Sequence, residues 1–589
     1  MRNADLARAF RDLAAYLEME DVPFKPRAYE KAAQAIESHD HPLAALYREG
    51  GEKALREIPG VGRSMAEKLA EILITGKCAA LETYRRRMPV DLAALTAVEG
   101  VGPKAVKALY DRLRVRTLAD LEAAARAGKI RTLPHFGERS EQRILKALAV
   151  VHSVGGRQPL HVVRELVEPL VAVLAGMTGV RQVAVAGSIR RRRETIGDGD
   201  LLAVAARPDA VTRAFAALPG VVQILGRGPT KASVRIEGGL QVDLRVVPAE
   251  SFGAALLYFT GSKAHNVALR QLAIGKDLKL NEYGLFRGAK RIAGRTEADC
   301  YAALGLPWIP PELREDRGEI QAARDDRLPT LVEPGDLRGD LQIQTDWTDG
   351  HDSIEAMALA ARALHFEYIA ITDHTKSLAM TGGADERKLR RQMREIAKLN
   401  ARLDGIRILS GAEVNVNRDG TLDIDDATLA QLDVVGIAVH SYFTLPRAEQ
   451  TRRIVRAMQN PHADILFHPT GRILGKREPY DVDIDALIAA AKDTGTVLEL
   501  DAFPERLDLR DEHVRRAVEA GVPIVIDSDA HSAAHLPYAR EYGIDQARRA
   551  WVTKADVLNT RPVTAFLAGL KGTRRARPRA APSRRRPRP

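Results

Sequence analysis

The sequence predicts a multidomain α/β protein of 589 residues: helical modules first, a mixed α/β domain in the middle, a β/α barrel at the end. Three observations carry this. Apolar residues near the N-terminus recur at helical spacing and are broken by Gly-x-Gly turns. A Gly-Ser turn, a run of arginines and two aspartates lie between apolar runs around residue 190. From residue 340 onward, short apolar runs alternate with helical stretches and end repeatedly on His, Asp or Glu.

In the N-terminal part, Leu6, Phe10, Leu13 and Leu17 share one helical face. Ile58-Pro59-Gly60-Val61-Gly62 then leads into Ser64-Met65-Ala66-Glu67-Lys68. Val98-Glu99-Gly100-Val101-Gly102-Pro103 repeats the pattern, and Leu133-Pro134-His135-Phe136-Gly137-Glu138 is a degenerate third copy. An apolar-Pro-Gly-x-Gly turn between helices is the signature of a helix–hairpin–helix. Gly60, Gly62, Gly100 and Gly102 let backbone N–H groups approach a phosphate at a helix N-terminus. Two good copies point to sequence-independent binding of a DNA backbone.

In the middle, Val183-Ala184-Val185-Ala186 reads as a strand running into Gly187-Ser188, a turn whose N–H groups can cradle an anion. Arg190 to Arg193 suit phosphate. Asp198 and Asp200 open the apolar run Leu201-Leu202-Ala203-Val204. On a strand, both would face the same side. Two neighbouring acids repel unless a cation separates them, and hard Mg²⁺ is the natural occupant. Leu240 to Val247 reads as another strand, with Asp243 and Arg245 on one face. Three carboxylates on neighbouring strands can hold two divalent ions, one activating a hydroxyl and one neutralising a triphosphate. The pattern is that of a nucleotidyltransferase.

In the last part, Phe366 to Ile371 runs into Asp373-His374, Ile406 to Leu409 heads towards Glu413, Val434 to Val439 ends at His440, and Ile465 to Phe467 ends at His468. Val522 to Ile526 ends at Asp527, with Asp529 and His531 beyond. Metal-ligand residues at the C-terminal ends of successive buried strands are what a β/α barrel site requires.

Gly187-Ser188 through Asp200, Asp243, and Leu257-Tyr258-Phe259-Thr260-Gly261-Ser262 followed by Asn266 resemble the family X DNA polymerases, relatives of polymerase beta. The resemblance implies that Asp198, Asp200 and Asp243 are the catalytic metal ligands, holding Mg²⁺ or Mn²⁺. It implies that Gly187, Ser188, Arg191 and Gly197 bind the triphosphate. Tyr258, Phe259, Gly261 and Asn266 would line the sugar and base pocket, with Arg270 sensing the minor groove and Asn281-Glu282-Tyr283 a nearby family motif. Lys263 stands where the animal enzymes carry an acid, and Ile196 where they carry a serine. Lys25, Arg27 and Ala28-Tyr29 resemble the family's small N-terminal domain, where Lys68 would occupy the position of a Schiff-base lyase nucleophile. Lys68 is otherwise a phosphate-contacting surface lysine. Ser64 replaces a second family lysine.

The final part resembles a PHP domain, the metal-binding phosphoesterase barrel fused to bacterial members of that family, where it commonly supplies 3′–5′ exonuclease activity. Up to three Mn²⁺ or Zn²⁺ ions are implied, with Asp349, His374, Glu413, His440, His468, Asp529 and His531 at ligand positions. The family's Asp-Leu-His-x-His motif reads Asp340-Leu341-Gln342-Ile343-Gln344 here. Amide oxygen is a far weaker ligand for a transition ion than imidazole. By the resemblance, the glutamines belong to one metal site, shared with Glu413 and Asp529. The expectation is a barrel that binds at least one metal with weakened or lost exonuclease activity. The alternative expectation is a 3′–5′ exonuclease whose polymerase core mainly docks DNA.

The expected boundaries are a helical lyase-like domain over 1–85, a fingers-like helical domain over 86–150, a palm over 151–250, a thumb over 251–312, a polar linker over 313–339, the barrel over 340–570 and a disordered basic tail over 571–589. That tail carries nine of the eleven net positive charges, suited to phosphate backbones or to solubility alone. No run of 18 apolar residues appears, the N-terminus lacks a signal-like apolar region, and the two cysteines lie far apart. These features, with the resemblance, imply a cytoplasmic, nucleoid-associated bacterial monomer acting on gapped or primer–template DNA and dNTPs, without a membrane partner.

Overall fold

A computed structural model describes residues 3–571 except 38, 40, 41, 59, 97, 99, 135, 154 and 155. The basic tail expected beyond Lys571 lies outside the described residues. Lys571 itself, taken above as the first tail residue, is buried, its Nζ donating to Met458 O (2.6 Å) and Thr496 Oγ1 (2.9 Å). The chain divides into a helical unit, which runs to residue 156 and includes residues 475–478, and a larger α/β unit that holds the other described residues from 157 on.

In the helical unit one apolar core runs from Leu6 to Leu148, so the boundary expected at 85/86 falls inside a continuous core. Both hairpin turns have the same backbone. Gly60 and Gly100 sit at φ +80° and +87°, where a side chain would be strained. Gly62 and Gly102 are the N-caps of helices Arg63–Thr75 and Pro103–Leu113.

The α/β unit begins with a five-stranded sheet in the order Val180–Val185, Asp198–Ala205, Gln241–Val246, Lys231–Ile236, Val221–Arg227. Only the Asp198–Ala205 and Gln241–Val246 pair is parallel. Its core is built from alternate strand residues such as Leu201, Ala203, Val242 and Leu244. Helices Phe252–Thr260 and Lys263–Ile274, a three-stranded antiparallel sheet and helix Glu297–Ala303 follow.

Residues 313–339 were expected to be a linker. They form instead a packed strap. Arg314 and Glu319 are buried, Ala323 and Leu331 join the apolar core begun by Ala254 and Leu257, and Leu331 bridges Thr553 of the barrel. The polar composition that suggested a linker reflects specific pairings: His265 Nδ1 lies 2.6 Å from Glu319 Oε1, and Arg548 Nη1 lies 2.6 Å from Glu333 Oε1.

The last domain is a seven-stranded parallel sheet in chain order, from Gly339–Asp340 to Ile524–Asp527. Its ends meet: Ile343 bridges Ala530, and Ala530 N donates to Gln342 O (3.1 Å). Two strands differ from expectation. Arg407–Asn415 carries Glu413 within it rather than beyond it, because Gly411 to Asn415 continue the ladder by pairing with Val434 to Ala438. Val497–Asp501 was not anticipated, although its Val-Leu-Glu-Leu-Asp run is half apolar and alternating.

Candidate metal centres in the palm and the barrel

Register puts the palm carboxylates side by side. Asp200 is the direct parallel neighbour of Asp243, and Asp198 that of Gln241. Gly187 packs against this pair at φ +61°; a Cβ there would come within 2.3 Å of Asp200 Oδ2, so only glycine admits the turn. Burial, then the charges of Asp198 and Asp243, push the Asp200 carboxyl up to about 7. A crowded acid set made only of oxygen donors suits a hard divalent ion such as Mg²⁺ or Mn²⁺. Asp243 does not close fully on the other two: Lys231 Nζ is 3.3 Å from its Oδ2, and Gln241 Nε2 donates to its Oδ1 (3.1 Å).

A cleft of about 600 Å³ opens over Asp198 and Asp200. Gly187, Ser188 and Arg191 line one side, and Tyr258, Phe259, Gly261, Asn266 and Arg270 the other. Asn266 Nδ2 donates to Tyr258 O (2.6 Å), and the Arg270 guanidinium lies 5.7 Å from the Tyr258 ring centre. Gly197 is not on the cleft wall; its Cα position faces Arg157. Arg157, Arg193, Lys263 and Glu315 also line the cleft. Of these, Arg193 belongs to the arginine run and Lys263 adjoins the Gly261-Ser262 motif, while Arg157 and Glu315 carry no sequence signal.

The buried carboxylate of Glu297 and the partly buried one of Glu315 hold the arginine run in place. Glu297 accepts bidentate bonds from Arg190 (2.7 and 2.7 Å) and Arg314 (2.6 and 3.1 Å) and a third contact from Trp308 Nε1 (3.0 Å). Burial opposes its charge, but Arg190 and Arg314 hold it at about 2. Glu315 accepts from Arg191 Nε (3.1 Å) and from Arg549 Nη1 of the barrel (3.0 Å), and Arg549 Nη1 also donates to Arg191 O (2.7 Å). The pairings of Glu297 with Arg190, and of Glu315 with Arg191 and Arg549, span more than 100 residues of sequence, and no local pattern marks them.

In the barrel, two triplets among the described residues bring ligand atoms within 4.8 Å: Asp349, His374 and His531, and His374, Glu413 and His440. Fully buried Glu413 is the hub. His440 Nε2 is 2.9 Å and His468 Nε2 2.7 Å from its Oε1, and His374 Nδ1 is 3.4 Å from its Oε2. Burial opposes its charge, yet His374 and His440 hold its carboxyl well below the usual range. Burial, and then its histidine neighbours against the pull of Glu413, push His440 down to about 4. Asn415 Oδ1 fixes the other ring nitrogen of His440 at 2.7 Å. Nitrogen and carboxylate donors in this mixture suit Zn²⁺ or Mn²⁺. Asp529 stands apart from the triplets, with its Oδ1 3.9 Å from His531 Nδ1.

On the helical unit, Lys68 Nζ donates to Ser64 Oγ (2.9 Å) and Ser64 O (3.2 Å), one turn back on its own helix.

Comparison with known proteins agrees with this architecture. Residues 1–78 match the helix-hairpin-helix domain family, 92–149 the SAM-like helix-hairpin-helix tandem and 255–315 the DNA polymerase beta thumb. The chain is 36% identical over 576 residues, 97% of its length and all of the relative's, to the DNA polymerase/3′-5′ exonuclease PolX of Bacillus subtilis (strain 168). It is 28% identical over 348 residues to DNA polymerase lambda of Rattus norvegicus, covering 53% of this chain and 56% of that one. A probable phosphatase of Thermoanaerobacter sp. (strain X514) matches at 31% over 172 residues, 28% of this chain and 67% of the phosphatase.

Proposed function

This chain belongs to the bacterial family X DNA polymerases with a C-terminal PHP domain, and from that premise we propose how it works. It is a DNA-directed DNA polymerase that fills short gaps in repair, acting as a monomer in the cytoplasm on gapped or primer–template DNA with dNTPs. Asp198, Asp200 and Asp243 hold two Mg²⁺ or Mn²⁺ ions, which when bound activate the primer 3′-hydroxyl and neutralise the triphosphate. Gly187, Ser188 and Arg191 bind the triphosphate, and Gly197 contributes through Arg157, its neighbour on the cleft wall. Tyr258 and Phe259 read the sugar, and Gly261, Asn266 and Arg270 the base and minor groove. Gly60, Gly62, Gly100 and Gly102 present backbone N–H groups to DNA phosphates, and Lys68 beside the first turn serves as a phosphate contact or a Schiff-base nucleophile. No helix among the described residues is long and apolar enough to cross a membrane.

The observation that carries this is the pairing of Asp243 with Asp200, which lines a cleft walled by Ser188, Arg191 and Tyr258. Primer extension across a one-nucleotide gap tests it. Asp243→Ala removes a ligand rather than a ligand's support, so a loss well beyond ~10²-fold is expected. Retention of activity within ~10-fold would remove Asp243 from the site.

The barrel binds Mn²⁺ or Zn²⁺ through Asp349, His374, His531, Glu413, His440 and His468, and its phosphoesterase activity is weak because Gln342 and Gln344 offer no imidazole.

A further inference from the structure

The barrel holds a fixed positive charge on Asp529, next to the strand end where its histidine pair is missing. Gln342 is fully buried and neither atom of its amide has a partner. Gln344 is also fully buried. Its Nε2 donates to Glu413 Oε2 (2.8 Å), while its Oε1 is unpartnered. The strand end carrying both glutamines runs beside Asp529: Ala530 N donates to Gln342 O, and Gln344 N donates to Ala530 O (2.8 Å). On the Asp529 side of this strand end, Arg506 Nε lies 3.3 Å from Asp529 Oδ2 and 3.5 Å from Asp501 Oδ2.

Without imidazole, an ion between Glu413 and Asp529 would have two carboxylates and two weak amide oxygens, a poor donor set for Zn²⁺ or Mn²⁺. The buried carboxylates still need a counter-charge. A guanidinium supplies one permanently, requires no ligand geometry and engages two carboxylates at once. We infer that Arg506 is the resident cation at this position, so that the barrel takes two transition ions instead of three.

The two remaining positions can be assigned from the contacts. A neutral imidazole has one lone pair to give, so His374 can serve one ion only. With His374 Nε2 3.5 Å and His531 Nε2 3.7 Å from Asp349 Oδ2, the first position is Asp349, His374 and His531. The second is Glu413 with His440 and His468, both on Glu413 Oε1. Arg506 can bind a phosphoester oxygen but cannot generate a metal-bound nucleophile. The barrel therefore keeps a phosphate-binding charge while losing part of its hydrolytic power.

This inference rests on the barrel being a metal site, and a metal count separates the two. The full chain is loaded with Zn²⁺, passed through a column in excess Mg²⁺ to keep the oxygen-only palm out of the count, and its zinc measured by mass spectrometry. Two zinc ions per chain are expected, falling to one in Asp349→Ala. The double variant Q342H/Q344H should stay at two while Arg506 is present and rise to three when R506A is added. One or three zinc ions in the unaltered chain, or three in the double variant with Arg506 intact, overturns the inference. No zinc at all overturns the metal assignment of the barrel itself. The unaltered chain alone decides between these outcomes, and circular dichroism confirms that the variants fold.

Discussion

In the palm, Asp198 and Asp200 border an open cleft, and every candidate ligand donates oxygen. In the barrel, Glu413 is fully buried beneath His374, His440 and His468, and most donors are nitrogen. Both regions gather acids on parallel strands, but their surroundings adapt them to different metals. An oxygen set that opens onto a cleft holds a hard ion loosely enough for it to arrive and leave with a nucleotide. A buried imidazole set retains a transition ion. The sequence changes at Gln342 and Gln344 fall on the second kind of site, where one imidazole is worth far more than one amide. The palm has no comparable change.

The test with the largest consequence for this contrast is exonucleolytic. With Mn²⁺ and 5′-labelled DNA, removal of 3′ nucleotides should be weak, at least ~10-fold slower than gap filling under the same conditions, since losing a metal's ligands or their support costs ~10–100-fold each. Robust degradation that disappears in His440→Ala would show that two histidine losses leave the barrel intact as a nuclease, and the contrast would collapse.

Glu297 gives the next effect. It ties Arg190, two residues beyond Ser188, to Arg314 and Trp308. Glu297→Gln leaves buried Arg314 without its carboxylate, so a destabilisation of about 3–5 kcal/mol is expected in denaturant unfolding of the full chain. The pH dependence has a defined sign. The folded carboxyl sits at about 2, below its usual 4.5. Its contribution is complete above about 4.5 and is lost as pH falls from there towards 2. The variant should flatten that acid limb. An unchanged limb would mean that the pairing does not persist in solution.

These two tests also mark what the sequence could and could not reveal. Asp198, Asp200 and Asp243 were legible because strand periodicity places i and i+2 on one face, and because a Gly-Ser turn has few purposes beside them. The histidines at strand ends were legible because each closes an apolar run. Glu297, Glu315, Arg506 and the contact of Lys231 with Asp243 were not. Each depends on a pairing that only the tertiary fold creates, and a charge in a polar stretch looks the same whether it faces water or a buried partner. The strap over 313–339 was misjudged for that reason. Val497–Asp501 was different: its alternation was visible, but Glu499 and Asp501 lie outside the ligand pattern that drew attention to the other strands.

The smallest effect lies where the palm and the barrel meet. Glu315 joins Arg191 of the triphosphate turn to Arg549 of the barrel, and Arg549 in turn donates to Asp511 Oδ2 (2.7 Å). Burial opposes the Glu315 charge, but Arg549 and Arg191 keep it below the usual range, so it is ionised at neutral pH. Its role is positional, because it aims Arg191 without reaching the reacting atoms. Glu315→Gln keeps the shape and weakens charge-assisted bonds worth about 1 kcal/mol in net effect, which corresponds to a ~5-fold rise in KM for dNTP. With kcat within ~2-fold, the loss would be one of uniform triphosphate binding. A fall in kcat at constant KM would instead place the Arg191 contact in the transition state, and the barrel would then be bracing the chemistry of the palm rather than only its substrate.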